Sequence, residues 1–232
     1  MDIIHLLMKF GLTHQEAQIY VCLHSAQPAT GYELAKRTGI SRSNSYTVLS
    51  QLLEKGGVYK IDGKPARYEA LPISEFCQNV IRNLQQTQSV LEEQILPPEP
   101  PQSAYITIQG SRHIHNKIHT MLQQSQQRVY VSMALSALSP FLPALRDMVA
   151  QDKKVVLITD GAPLLPGAQV YIAPRSNSVL HLICDSQVAL TGELDESAHC
   201  TCLFSPKKNL VNLVKSSIGN EIRWIELSEK KR

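Results

Sequence analysis

The pattern of apolar and polar positions changes character once along the chain. Residues 2–96 read as helices followed by one hairpin and a further helix, and residues from 104 onward alternate β-rich runs with helical stretches. Residues 2–9 predict a short helix that Gly11 ends. Thr13-His14-Gln15-Glu16 is a capping box: the Thr13 hydroxyl can accept from the amide three residues on, and Glu16 can return to the Thr13 amide. Ala17, Tyr20, Val21 and Leu23 form the apolar face of the helix it starts. Thr30 is placed to cap a helix over 32–38 that Gly39 closes, and Ser41 to cap a longer one to residue 55, stopped by Gly56-Gly57. The runs 58–61 and 66–71 flank Asp62-Gly63, which predicts a β-hairpin. In 73–96, Ile73, Cys77, Val80, Leu84, Thr87 and Leu91 repeat at spacings of 4, 3, 4, 3 and 4, and Phe76, Ile81, Val90 and Ile95 widen the stripe. That is the a/d seam of nearly three heptads. It fits a helix packed on its own domain, but favours a coiled coil between two copies.

The proline-rich run at 97–101 cannot continue a helix and reads as a semi-rigid linker. Beyond it, strands are expected at 104–109, 128–133, 153–159, 168–172, 179–184, 187–193 and 199–204, with helices at 110–126 and 137–151. The first three strands and their intervening helices spell βαβαβ, which favours a parallel sheet with covering helices. A helix at 206–218 and a last strand at 221–227 complete the expected α/β sandwich. The expected domains are thus 1–72 for a winged helix-turn-helix, 73–96 for a dimerisation helix, 97–101 for the linker and 102–232 for the α/β unit. The fold class is α+β overall.

Charge and composition sharpen this picture. Helix, glycine turn, helix and hairpin is the order of a winged helix-turn-helix. On the helix after Ser41, Val48, Leu49 and Leu52 fall on one face, while Arg42, Ser43, Asn44, Thr47 and Gln51 lie opposite. Those groups match the hydrogen-bonding edges that bases display in the major groove. Between Lys36 and Arg67 the chain holds seven basic residues and two acidic ones, although its net charge is only +3. A basic patch beside a slightly acidic remainder suits contact with phosphates. The residues expected at double-stranded DNA are therefore Thr30, Tyr32, Ser41, Arg42, Ser43, Asn44, Tyr46, Thr47 and Gln51, with Lys60, Lys64 and Arg67 on the wing. The 232 residues are 43% hydrophobic and 19% charged, an ordinary globular balance. The five cysteines, odd in number and scattered, suggest reduced core thiols rather than a disulfide framework. The N-terminus lacks the basic start and small-residue cleavage site of a signal peptide, and no run approaches a membrane span. A cytoplasmic protein with no membrane partner is expected.

FGLTHQEAQIYVCL, TGYELAKRTGISRSNSYTVLSQLLEKG and VYKIDGKPARYEALP together resemble the N-terminal domain of TrmB-type transcriptional regulators, over residues 1–96. The resemblance implies DNA binding and a dimerising helix after the wing. The chain departs from the family pattern at Ser45 and Gly57, where apolar residues are usual, and looser packing under the reading helix is expected there. TrmB-type proteins often respond to sugars, but through a different C-terminal domain. Here LHLICDSQVALTGEL resembles the core hairpin of phospholipase-D-like domains, whose His-x-Lys-x4-Asp motif attacks and holds a phosphate. His181 matches the histidine, Ile183 replaces the lysine, and Asp185 falls short of the aspartate spacing. Without the lysine a phosphoryl transition state loses its main charge partner. His181 therefore reads as a strand histidine and no catalytic residue is assigned.

Weaker constellations remain. His115 and His119, four apart on a helix with His113 nearby, have zinc-ligand spacing but read as surface histidines. His199-Cys200-x-Cys202 could hold a metal or sense redox state, although strand alternation puts both cysteines on one face, as in a core. The 159–168 segment follows a strand's carboxyl end, where α/β sheets bind ligands, and is a place for an unidentified small-molecule effector. No cofactor or metal is assigned. The expected function is a homodimeric, sequence-specific, double-stranded-DNA-binding transcriptional regulator. The alternatives are a phospholipase-D-like phosphodiesterase or nuclease with an accessory DNA-binding domain, and a winged helix that contacts only protein.

Overall fold

The computed structural model describes residues 2–25, 28–95, 105–174, 178–195 and 200–229, and the chain divides into two compact units, 1–97 and 98–232. The proline-rich segment at 97–101 lies outside the described residues.

In the first unit, α1 (Ile3–Lys9), α2 (His14–His24), α3 (Gly31–Thr38) and α4 (Arg42–Glu54) precede a hairpin of β1 (Val58–Ile61) and β2 (Arg67–Ala70), and α5 (Ile73–Gln94) follows. Local chemistry sets these boundaries. Thr13/Glu16 and Thr30/Glu33 both form complete capping boxes, and the Ser41 hydroxyl accepts from the Asn44 amide. Gly39 ends α3 in the left-handed conformation at φ 74°, which glycine adopts without a Cβ penalty. One core holds the helices and hairpin together: Tyr20, Leu23, Leu34, Leu49, Leu52, Val58 and Phe76 are all buried in it. The Tyr20 hydroxyl donates to the Leu71 carbonyl at 2.7 Å and its ring lies 5.5 Å from that of Phe76, which seats the start of α5 on the unit. Ala29 exchanges two backbone hydrogen bonds with Tyr68, adding a third short strand position to the hairpin.

The second unit is a seven-stranded mixed sheet between helices. Its strands are β3 (Ile106–Gln109), β4 (Arg128–Ser132), β5 (Lys154–Thr159), β6 (Gln169–Ile172), β7 (Val179–Cys184), β8 (Val188–Glu193) and β9 (Thr201–Ser205), in the spatial order β3-β9-β8-β7-β4-β5-β6. The helices are α6 (Ser111–Gln124), α7 (Leu135–Leu138), α8 (Leu142–Ala150) and α9 (Lys208–Glu229), with a 3-10 turn at Ser139–Phe141. Side chains alternate between two cores. Val129, Val131, Leu157, Leu180, Leu182 and Leu190 face Ile114, Ile118, Leu122 and Leu145 of α6 and α8. Ile158, Ile183 and Ala189 face Leu210, Val214, Ile218 and Ile225 of α9.

Two expectations fail here. The first is that β3 lies beside β4 in a parallel βαβ. Instead it pairs antiparallel with β9 at the sheet edge, with β9, β8 and β7 between it and β4, and only β4, β5 and β6 run parallel. The second is a strand at 221–227, which is part of α9. Ile218, Ile222 and Ile225, at i, i+4 and i+7, all pack in the α9 core, so a helical face wins over local alternation. Among the described residues no helix is long and apolar enough to cross a membrane.

Candidate nucleic-acid interface

The α3–α4 pair presents one polar surface on a rigid scaffold. Val48, Leu49 and Leu52 lock the inner face of α4 into the core. Ser41, Arg42, Ser43, Asn44, Thr47 and Gln51 are exposed on the other side. The Arg42 guanidinium lies 5.4 Å from the centroid of the Tyr32 ring, a cation–π contact that leaves both at the surface. Tyr46 lies across Gly31, where a methyl group would come within 2.6 Å of its ring. Tyr32, Arg42 and Tyr46 are thus brought together from two helices, a grouping that no local spacing announces. Ser41 and Ser43 share a hydroxyl contact of 3.3 Å, and the Thr47 hydroxyl donates to the Ser43 carbonyl.

Thr30 and the exposed Arg67 also make contacts within their own unit. Thr30 is buried, and its hydroxyl and amide both donate to the Glu33 carboxylate. Those bonds, led by the amide, hold the Glu33 carboxyl below its ordinary range against an opposing effect of burial, and Arg67 and Arg37 add smaller attractions. Arg67 also donates to the Pro28 carbonyl at 3.0 Å, which ties the hairpin to the start of α3. Lys60 and Lys64 are exposed on β1 and the hairpin turn. Of the other basic residues in the window, Lys55 faces away from this chemistry: it donates to Glu16 at 2.7 Å and to the Gly11 carbonyl at 2.9 Å.

The two departures from the family pattern have different outcomes. At Gly57 packing is not looser. A methyl group there would meet Leu52 at 3.1 Å and Phe76 at 3.8 Å, so neighbours already fill the space. At Ser45 the hydroxyl is fully buried with no hydrogen-bond partner. An orphan buried hydroxyl costs roughly 1–3 kcal/mol, and alanine is also the better helix former. Ser45→Ala should therefore stabilise the unit by about 1–2 kcal/mol, read as a rise in the urea midpoint with unchanged slope. A loss of stability would show that the hydroxyl has a partner.

In the second unit His181 lies on β7, its Nδ1 2.7 Å from the Thr191 hydroxyl of β8, and Ile183 is buried in the α9 core. Asp185 begins a left-handed turn with Ser186 and accepts hydrogen bonds from Ser125, Gln126, Gln127 and Arg128. His115 and His119 flank the Phe141 ring at 5.3 and 5.0 Å, and His115 Nδ1 lies 2.8 Å from the Ser111 carbonyl. Cys200 and Cys202 are both buried in the sheet core. Burial, with a smaller effect of the neighbouring Cys200, pushes the Cys202 thiol up to about 12. His199 lies outside the described residues, and among those described no group of three His, Cys, Asp or Glu side chains could hold a metal. In the 159–168 segment, Asp160 accepts from the Leu135 amide and Leu165 is buried in the core.

These elements define a winged helix-turn-helix joined to a mixed α/β unit. Residues 6–74 match the family model described as "Sugar-specific transcriptional regulator TrmB", so the chain carries a TrmB-type domain at its N-terminus. Two curated relatives are similar. Uncharacterized protein YrhO of Bacillus subtilis (strain 168) is 22% identical over 182 residues, 77% of this chain and 66% of its own length. The HTH-type sugar sensing transcriptional regulator TrmBL1 of Pyrococcus furiosus is 23% identical over 164 residues, 68% of this chain and 46% of its own length. The chain thus spans just under two thirds of the first and less than half of the second. Among solved structures, TrmBL2, an archaeal chromatin protein, is 18% identical with a TM-score of 0.46, covering 95% of this chain and 96% of that one. NucT from Helicobacter pylori is 12% identical with a TM-score of 0.43, covering 52% of this chain and 97% of that one.

Proposed function

We propose that this chain is a sequence-specific, double-stranded-DNA-binding transcriptional regulator that acts as a homodimer in the cytoplasm. The observation that carries the reading is the exposed N-terminal half of α4, with Arg42, Ser43, Asn44 and Thr47 on a helix whose other face is locked in the core. In a major groove, Arg42 pairs with a guanine edge, Asn44 and Gln51 pair with adenine, and Ser41, Ser43 and Thr47 take phosphates. Lys60 and Lys64 reach the backbone from the wing, with Arg67 fixing the wing's seat. Tyr32 holds Arg42 through its ring, and Tyr46 packs over Gly31 at the start of α3. The family match ends at residue 74, within this unit, so the proposal covers DNA and not sugar.

The dimer reading now rests on the second half of α5. Phe76, Cys77 and Val80 pack on their own unit. From Ile81 onward the stripe is exposed: Leu84 and Ile95 are each 64% accessible, and Val90 and Leu91 each 49%. A second copy of this stripe would cover that face and present two reading helices to a palindromic site.

Light scattering of the full chain should give a dimer. Fluorescence anisotropy with duplexes selected from genomic DNA should give a log–log salt slope that steepens by ~0.9 per phosphate contact. Arg42→Ala should weaken the selected duplex by ~1–3 kcal/mol while leaving bulk DNA almost unaffected. Failure to bind any duplex at low salt would remove the DNA reading, and a monomer at micromolar concentration would remove the two-fold one.

A further inference from the structure

A cavity of about 410 Å³ opens between α9 and the sheet, in the unit that lacks the winged helix. Its apolar floor includes the Tyr130 ring from β4, Ile183 from β7 and Ile222 from α9. Its polar lining is Lys215, Arg223, Ser186, Ser216 and Asn220, and among the described residues no carboxylate lines it. Two acids near it are engaged elsewhere: Asp185 accepts from the 125–128 loop, and Glu226 accepts from the Tyr171 hydroxyl, while Glu221 adjoins the lining residues Asn220 and Ile222 in sequence.

Gly219 shows that this space is built into the helix. It is interior to α9, where glycine is about 1 kcal/mol less favourable than alanine. Its φ is not left-handed, and a Cβ there would meet nothing within 4 Å. Neither backbone conformation nor close packing requires glycine at this position. What the missing side chain does is leave the cavity open, since Gly219 is part of its wall. Lys215, Gly219 and Arg223 follow one another at i, i+4 and i+8, along one edge of the helix over about 12 Å. The opening is thus a small residue between two cations.

We propose that this cavity binds a small organic anion with an apolar body. The isoleucines and the Tyr130 ring take the body, and Lys215 and Arg223 draw the acidic group. Its size suits a ligand of modest mass. A carboxylate, sulfonate or phosphate would serve equally as the acidic group. Calling the occupant an effector rests on the regulatory reading above, but binding to the cavity does not.

The test is a fluorescence titration of the full chain, without DNA, using 1-anilinonaphthalene-8-sulfonate and its uncharged relative N-phenyl-1-naphthylamine. The sulfonate should saturate a site that Gly219→Leu weakens at least tenfold, with the thermal transition unchanged or raised. Lys215→Ala/Arg223→Ala alters only exposed side chains and should weaken the sulfonate about five- to tenfold while sparing the neutral dye. An unchanged titration in Gly219→Leu would place the dye elsewhere and overturn the proposal. So would equal effects of the double variant on both dyes. Should Gly219→Leu fail to fold, the double variant decides alone.

Discussion

Lys55→Ala should lower the melting temperature of the N-terminal unit by about 10–15 °C, the largest effect expected of any single surface change. The Glu16 carboxylate that Lys55 meets at 2.7 Å is only 1% accessible. It also accepts from the Thr13 amide at 2.6 Å, as half of the α2 capping box. Removing one partner of a buried ion pair leaves an uncompensated charge and costs roughly 3–5 kcal/mol. The Lys55 side chain is 39% accessible, so water can partly replace it, and about 2–3 kcal/mol is the expected loss. Lys55→Arg should recover most of it. Glu16→Gln, which can keep the bond from the Thr13 amide, should fall between. Circular dichroism melts measure the stability. Anisotropy at a temperature where both proteins are folded should show little change in DNA affinity or salt slope. A normal melt combined with a shallower salt slope would instead make Lys55 a phosphate contact.

Asp185→Ala should destabilise the second unit by about 2–3 kcal/mol. One carboxylate gathers three consecutive amides, Gln126 at 2.7 Å, Gln127 at 2.9 Å and Arg128 at 2.8 Å, and the Ser125 hydroxyl at 3.0 Å. It thereby joins the α6–β4 connection to the β7–β8 turn. Charge-assisted bonds of this kind are worth roughly 1.5–3 kcal/mol, but they are not additive, and the solvent-facing amides can rebind water. Burial raises the carboxyl, but the bonds from Gln126, Arg128, Gln127 and Ser125 outweigh it and hold it below its ordinary range. Its folded pKa is therefore below the unfolded value of about 3.9. The stabilisation is fully present above that value and is lost as pH falls through the folded pKa. Urea midpoints taken from pH 7 downward should converge for wild type and Asp185→Asn only in that acid range. A constant gap between them at all pH values would show that the charge contributes nothing.

The reading of the first unit was largely available from local chemistry. Thr13 with Glu16, Thr30, Ser41 before Arg42 and Gly39 each act within a few residues, and the structure uses each as the pattern implies, while the hairpin expected around Asp62-Gly63 forms with a longer connection, over residues 62–66. The inner and outer faces of α4 follow from helical period alone. Three things in this unit were not legible. The bridge from Ala29 to Tyr68, the seat of Arg67 on Pro28 and the approach of Arg42 to Tyr32 all join positions whose separation in sequence carries no periodic signal.

The second unit marks the boundary more sharply. Most of its strands were visible as β-branched runs, because a strand buried on both faces must be apolar throughout. Their order was not. Ile106–Gln109 is equally suited to β4 or to β9, and only the closing of a seven-stranded sheet between two helical layers sends it to the far edge. The segment after Gly219 alternates well enough for a strand, yet it continues α9, because Ile218, Ile222 and Ile225 can bury together only on a helix lying over β7 and β8. By itself, then, the sequence determined the caps, the turns and the polar face of α4, whose hydrogen bonds and periodicity are satisfied within a few residues. Tertiary structure alone decided which strands pair, where the two cores divide, that Phe76 and Val80 are spent on their own unit while Leu84 to Ile95 stay exposed, and that a glycine inside a helix opens a cavity. Those outcomes depend on burying apolar area against partners distant in sequence, and no local pattern records which partner is chosen.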